Sequence, residues 1–485
     1  MTRLSFSAMN TSHLARASRS GALTVLLSAC AAAPAYQPAP VKVAPSYSIV
    51  SSRTAPSARF TSSVPVGPFW HDFGDTTLEQ LVAEALRANT DVHVAEARLT
   101  GTRASYRLAA FDLAPTVTAS GSALRQQQSV AQIPGLTSQL PHRDLYDVGF
   151  DAAWELDIFG RTRKTINAQG AFVSSAEHAL EDVQVSLAAE VARSYFELRG
   201  AQRQLAVAKR NADNQARTVA LTQDRLSAGR GTAFDVERAR SVLQLTLASV
   251  PLIETQIAAT RNHIAVLLGR APDAAPAALL ADGDLPKLPD SVNVGSPQQL
   301  VRRRPDVLSA ERQLAAYGLS VGAAQAEYLP RLSLGASVGY AATRFESLTG
   351  PGNSRVLVGP VVSFPLLDIG RVRERVDIAE ARQSEARAQY AATELQAVEE
   401  TESALVTYDR AHARLGILTD AVTASTRASA LAQQRFEAGL TDFLQVLDAQ
   451  RTLLDAENQL AQAHTAAATA LVAVYKAVGG TWPPQ

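Results

Sequence analysis

Two segments of this chain are nearly the same. RLSAGRGTAFDVERARSVL (225–243) and RFEAGLTDFLQVLDAQRTL (435–453) align without a gap at an offset of 210 residues. Arg225 matches Arg435, Ala228 matches Ala438, Gly229 matches Gly439 and Val236 matches Val446. The same offset carries Gly160 and Gly269 onto Gly370 and Gly479. It also carries the seven-residue series Val236, Leu243, Val250, Ile257, Ile264 onto Val446, Leu453, Leu460, Ala467, Val474. A heptad register and three glycines held at one offset mean that one structural unit occurs twice.

Each unit contains strand-like alternation. In LYDVGFDAAW, Tyr146, Val148, Phe150, Ala152 and Trp154 fall on one face, and Asp147, Gly149 and Asp151 on the other. Such a two-residue period gives one greasy and one wet face. Its ten residues suit a tilted crossing of the hydrocarbon layer. TVTASGSALR, from Thr116, is its expected partner, and the long loop between them suits the outside of a membrane. In the second unit, RLSLGASVGY sets Leu332, Leu334, Ala336, Val338 and Tyr340 against Ser333, Gly335, Ser337 and Gly339. A strand Arg355–Phe364 follows.

Long helices come next. No proline occurs from His142 to Val250 or from Leu366 to Trp482. The series Leu198, Leu205, Ala212, Val219, Leu226 marks a coiled-coil-like seam. A helix from about Thr165 to Leu226 would be roughly 90 Å long. Pro251 is expected to kink the return helix and Gly269 to end it. Earlier, helical periodicity starts near Thr77 as cap, and a further helix spans Pro297–Glu327. Gly160 and Gly370 are expected to free the backbone at the strand-to-helix turns, with Arg161 and Arg371 capping carbonyls or meeting lipid headgroups.

The single cysteine, Cys30, closes the short apolar run Gly21–Ala29, behind Arg3, Arg16 and Arg19. This is the layout of a secretory signal. The order Leu27-Ser28-Ala29-Cys30 resembles the bacterial lipobox, whose cysteine is acylated; Ala31 after it favours outer-membrane sorting. Translation could start at Met1 or Met9. We therefore divide the chain into a lipoprotein signal peptide (1–29), a lipid-anchored extended linker rich in Ala, Pro and Ser (30–68), and two repeats (69–285 and 286–482). Lys+Arg and Asp+Glu are 46 each, so no surplus charge points to nucleic acid. No run of 18 apolar residues occurs, so no transmembrane helix is expected and any crossing must be by strands.

Four strands cannot close a barrel, and an open edge in lipid leaves backbone groups unpaired. Two, three or four chains would give 8, 12 or 16 strands. An interior of 8 is filled by side chains, which argues against two. Spacing alone does not separate three from four.

The chain resembles the TolC/OprM-type outer-membrane efflux proteins, in the lipoprotein branch that serves resistance-nodulation-division (RND) pumps, the NodT group. The residues that carry this are PFWHDFGDTTLEQLVAEALRANTDV, WELDIFGRTR, LIETQIAATRNHIAVLLG, RRRPDVLSAERQL, AEYLPRLSL and FEAGLTDFLQVLDAQR, spread over nearly the whole mature chain. The resemblance implies an α+β membrane protein: a homotrimer with a 12-stranded outer-membrane β-barrel, four strands per chain, continued by a long α-helical periplasmic barrel. It implies a passive exit duct for drugs or other small molecules, driven by an inner-membrane RND transporter through a periplasmic adaptor. By the same resemblance, Gly229 and Gly439, with Arg225 and Arg435 beside them, lie on the turns that meet the adaptor. Gln445 and Asp448 fall where the family rings its periplasmic gate with acids, and Gln445 departs from that pattern. Asp235 matches a neighbouring acidic position on the other hairpin. No cofactor is implied beyond a covalent lipid on Cys30.

Other chemistry finds little support. Gly318–Gly322 and Gly335–Gly339 both match G-x-S-x-G, but one lies in a helical pattern and the other inside a strand, so neither makes a nucleophile elbow. The eight histidines show no metal-ligand spacing. No phosphate-binding loop is present, so no enzymatic activity is expected and energy must come from a partner. Two alternatives remain: the duct of a type I secretion or metal-export system, and, in another class, a structural coiled-coil lipoprotein spanning the envelope.

Overall fold

The computed structural model describes residues 44–51, 59–63 and 67–480, apart from 128, 130–134, 136, 137, 140, 282 and 290. Cys30 and the expected signal segment lie outside the described residues. The fold is mostly helical with one four-stranded sheet. In chain order its main elements are β1 (Phe60–Thr61), α1 (Thr76–Ala88), α2 (Thr90–Phe111), β2 (Thr116–Gln126), β3 (Arg143–Leu156), α3 (Arg161–Ser227) and α4 (Ala233–Leu267). There follow β4 (Val292–Asn293), α5 (Pro305–Gln325), β5 (Arg331–Ala342), β6 (Ser354–Ser363), α6 (Ile369–Glu437) and α7 (Phe443–Ala477). The chain forms two compact units, each drawing on both halves of the sequence. Among the described residues, one comprises 100–175 and 311–389 and the other the rest.

In the first unit the sheet order is β2-β3-β5-β6, antiparallel throughout. The register pairs Phe150 with Ala119 and Val338, and Val338 with Val356. It pairs Trp154 with Leu334, and Leu334 with Pro360. One face is thus apolar across all four strands, and it is exposed: Phe150 is 58% and Val356 72% accessible. The other face carries Asp147, held by a two-pronged bond from Arg355 (Nε to Oδ2 2.9 Å, Nη2 to Oδ1 2.8 Å). Beside it, Ser120 Oγ donates to Asp151 at 2.9 Å. Neither β2 nor β6 pairs on its outer side among the described residues.

The strand-to-helix turns differ from expectation. Gly160 has φ +74°, as expected, but Gly370 lies in the first turn of α6 and has no positive φ. The second turn is instead built on Pro365, whose carbonyl accepts from Asp368 N at 3.1 Å, so the helix has already begun. Among the described residues Arg161 caps no carbonyl: its guanidinium grips the Glu155 carboxylate at 3.0 and 2.7 Å. The cap of α3 is Asp157, which accepts from Thr162 N and Arg163 N at 3.0 and 2.9 Å. Arg371 sits 3.5 Å from Asp368 on the surface.

In the second unit, the motif FWHDF plugs the core. Phe69 stacks on Tyr475 with centroids 5.4 Å apart, and Phe73 meets Phe196 edge-on at 4.8 Å. Asp72 and Asp75 accept from the hydroxyls of Tyr475 and Tyr195 at 2.8 and 2.7 Å. Part of the segment expected as an extended linker is docked here. Tyr47 is buried, Ser48 bonds Glu402 through N and Oγ, and β1 pairs with β4. The cap of α1 is Asp75, not Thr77, and the helix stops at Asn89. The helix expected over Pro297–Glu327 is likewise divided, into a turn Pro297–Val301 and α5. Helix α4 continues through Pro251. By length and composition it is apolar enough to cross a membrane, since 241–253 carries no charged residue.

Candidate functional site: the paired hairpin turns

Both helical hairpins turn in the second unit, and the turns are built alike. Helix α3 ends at Ser227 and α6 at Glu437, and α4 and α7 start at Ala233 and Phe443, in each case 210 residues apart. Gly229 N donates to Leu226 O at 2.9 Å and Arg230 N to Arg225 O at 2.8 Å. Gly439 N and Leu440 N repeat this onto Phe436 O and Arg435 O at 3.0 and 2.8 Å. This is a Schellman ending, and it needs a left-handed residue at the glycine; φ is +68° at Gly229 and +73° at Gly439. The return helices are then capped. Thr232 Oγ1 accepts from Asp235 N at 3.2 Å, while the Asp235 carboxylate accepts from Thr232 N at 3.3 Å, a capping box, and also from Thr232 Oγ1 at 2.7 Å. Asp442 accepts from Gln445 N at 3.2 Å.

The two turns touch. The guanidinium of Arg225 lies 4.0 Å over the Phe436 ring, and its Nη1 donates to Phe436 O at 3.2 Å. Phe436 leans on Phe443 with centroids 5.4 Å apart, and Ala239, Val446 and Leu447 complete a small apolar cluster. A cleft of about 530 Å³ lies between the turns, lined by Arg225, Gly229, Thr232, Asp235, Phe436, Gly439 and Asp442 among others.

The residues expected from sequence are thus partly brought together. Arg225, Gly229, Gly439 and Asp235 share the cleft, but Arg225 is occupied by Phe436 and Asp235 by its own cap. Arg435 is exposed. Gln445 and Asp448 lie one turn apart on the exposed face of α7, opposite the buried Val446 and Leu447. Arg238, the repeat counterpart of Asp448, is exposed on α4. Sequence reasoning missed Phe436 and Phe443; the Arg-Phe pair just before Gly439 was the available signal. It also missed that the seam behind the turns is polar. Asn211 donates to Glu457 at 2.9 Å and Gln450 to Thr218 at 3.2 Å, off the leucine heptad. The two G-x-S-x-G serines are structural: Ser320 Oγ donates within α5 to Ala316 O, and Ser337 accepts from Arg355 in the sheet.

The outer membrane efflux protein family matches residues 81–270 and 296–480. The chain is 31% identical over 462 residues to outer membrane protein OprJ of Pseudomonas aeruginosa, covering 95% of each. It is 31% identical over 415 residues to the solvent efflux pump outer membrane protein SrpC of Pseudomonas putida, covering 84% of this chain and 86% of that one. Among solved structures, the outer-membrane channel OprN superposes with a TM-score of 0.84 at 37% identity, over 93% of this chain and 99% of that one.

Proposed function

The chain belongs to the outer membrane efflux protein family, and on that premise we propose that it is the exit duct of a tripartite efflux system, assembled as a homotrimer. It is an outer-membrane efflux channel, a transport component and not an enzyme. The observation that carries the assembly is the sheet: one exposed apolar face, one polar face, and two edge strands that pair with nothing on their outer sides among the described residues. Bare edges cost several kcal/mol per unpaired backbone group in lipid. Three copies close a barrel of 12 strands, with Asp147, Asp151 and Arg355 facing the bore. Leu245 and Leu252 of α4 are exposed in one chain, and helices of neighbouring copies would cover them. A spacer lipoprotein would need no such sheet.

The hairpin turns at Gly229 and Gly439 are the end that meets a periplasmic adaptor, which couples the duct to an inner-membrane RND pump. Around the closed end, Asp448 and Gln445 line the aperture. The repeat brings Arg238 in alternation with Asp448, so the ring there mixes both signs. Cys30 carries the lipid that anchors the chain to the outer membrane, with repeats 69–285 and 286–482 making the two hairpins. Deleting the gene should lower the tolerated concentration of several antibiotics, dyes or detergents at least about fourfold. Unchanged tolerance across the panel, in a strain lacking parallel efflux channels, contradicts the reading.

A further inference from the structure

We infer that Asp151 sets the charge preference of the membrane half of the duct, and that Arg355 keeps neighbouring Asp147 out of that role. The inference deepens the channel reading above and rests on it. Every contact it uses lies among the four strands of one chain and the helix after β3. The odd-numbered positions of β3 share the polar face, and they carry three carboxylates, Asp147, Asp151 and Glu155.

Two of the three are neutralised where they stand. Glu155 is gripped by Arg161 at the helical end of the sheet. Asp147 is gripped by Arg355, which reaches it from two strands away. The register sets Arg355 opposite Gly339, and Gly339 opposite Gly149. The guanidinium passes over the trough that these glycines leave open. A Cβ on Gly149 would stand 3.4 Å from Arg355 Nη2 and 2.7 Å from Val338 O. The arm ends on both oxygens of Asp147, and its Nη1 donates to Ser337 Oγ.

Asp151 has no such partner. Ser120 Oγ donates to it at 2.9 Å, and it makes no ion pair among the described residues. The other cations on this face are bound or remote. Arg331 lies 3.6 Å from Glu327. Arg143 opens β3, roughly 26 Å from Asp151 along the strand, well beyond a screening length of about 8 Å. One uncompensated negative charge per chain therefore remains at mid-height of the polar face. Walls of low dielectric focus its field into the lumen. A cationic solute crosses this height more readily than an anionic one of the same size.

The test reads the local potential, whatever the hairpin ends do. Ala153 lies two positions from Asp151 on the same face, about 7 Å away, and is exposed. Detergent-purified, full-length protein carrying Ala153→Cys is labelled with cationic and anionic methanethiosulfonates of similar size. Labelling is followed by mass spectrometry, with protein lacking the substitution as the control for Cys30, the only native cysteine. The cationic reagent should react faster relative to its rate on a free thiol. Adding Asp151→Asn should lower the cation-to-anion rate ratio about two- to fivefold. Adding Arg355→Gln should raise it, and Arg355→Lys, which keeps the charge, should not. The inference is overturned if Asp151→Asn leaves the ratio unchanged, if Arg355→Gln lowers it, or if Arg355→Lys shifts it as far as Arg355→Gln. A thiol at position 153 that reacts with neither reagent would instead show that the polar face does not line water. That outcome removes the channel reading, and the inference with it.

Discussion

The guanidinium of Arg304 joins three parts of the second unit. It bonds Asp306 at 3.0 and 2.7 Å, Glu400 at 2.8 Å and the Ala477 carbonyl, the end of α7, at 3.1 Å. Arg304 is 8% exposed, so removing it strands a carboxylate in a poorly solvated place. Arg304→Ala should cost about 3 kcal/mol of stability in denaturant titration, less than the full buried-pair penalty because Glu400 is half in water. Nearby, burial, with Asp306 adding to it, raises the Asp182 carboxyl above its ordinary value, while Arg304 and Lys476 oppose the shift. A folded-state value above the unfolded one means stability present at low pH and lost as pH rises through it. Asp182→Asn should therefore raise the melting temperature at pH 8 and bring no gain below the usual carboxylate range; a gain at both would contradict the shift. On the proposed gate assignment, Asp448→Ala should raise conductance and reduce cation preference in planar bilayers. If neither changes, Asp448 does not line the aperture.

At the scale of elements, what could be read from the sequence depended on whether a residue acts through pattern or through a distant partner. The strands were legible to within about two residues because greasy and wet faces alternate over their whole length: LYDVGFDAAW lies inside β3, and Arg355–Phe364 is β6 shifted by one residue. The hairpin turns were legible because a left-handed position demands glycine. The break at Asn89 was not, since apolar spacing runs straight across it. That break is made by Asn89 itself, whose side chain donates to Leu267 O at 2.9 Å and accepts from Asp91 N at 2.7 Å. Gly370 misled because its partner Gly160 does have positive φ; Pro365 removed the need in the second copy. The roles of Arg225 and Asp235 came from resemblance, and the structure adds that each already has a local partner. The Thr232 cap is one such partner, and Thr232→Ala should destabilise the start of α4 by about 1 kcal/mol. Faster hydrogen exchange confined to 229–236 would report it, and unchanged exchange there would argue against the capping box.

For the whole molecule, the account turns on what a single chain leaves undone. Its sheet has an apolar face open over four strands and two edges without partners among the described residues, and α4 exposes Leu245, Leu247 and Leu252. Among the described residues nothing covers these surfaces, and the proposed homotrimer would cover them with the same elements repeated. Native mass spectrometry of the detergent-purified, full-length protein tests this most directly. The account predicts one assembly at three times the mass of the processed chain, plus bound lipid, with its β-sheet signal intact. A monodisperse single chain that keeps its sheet would contradict it.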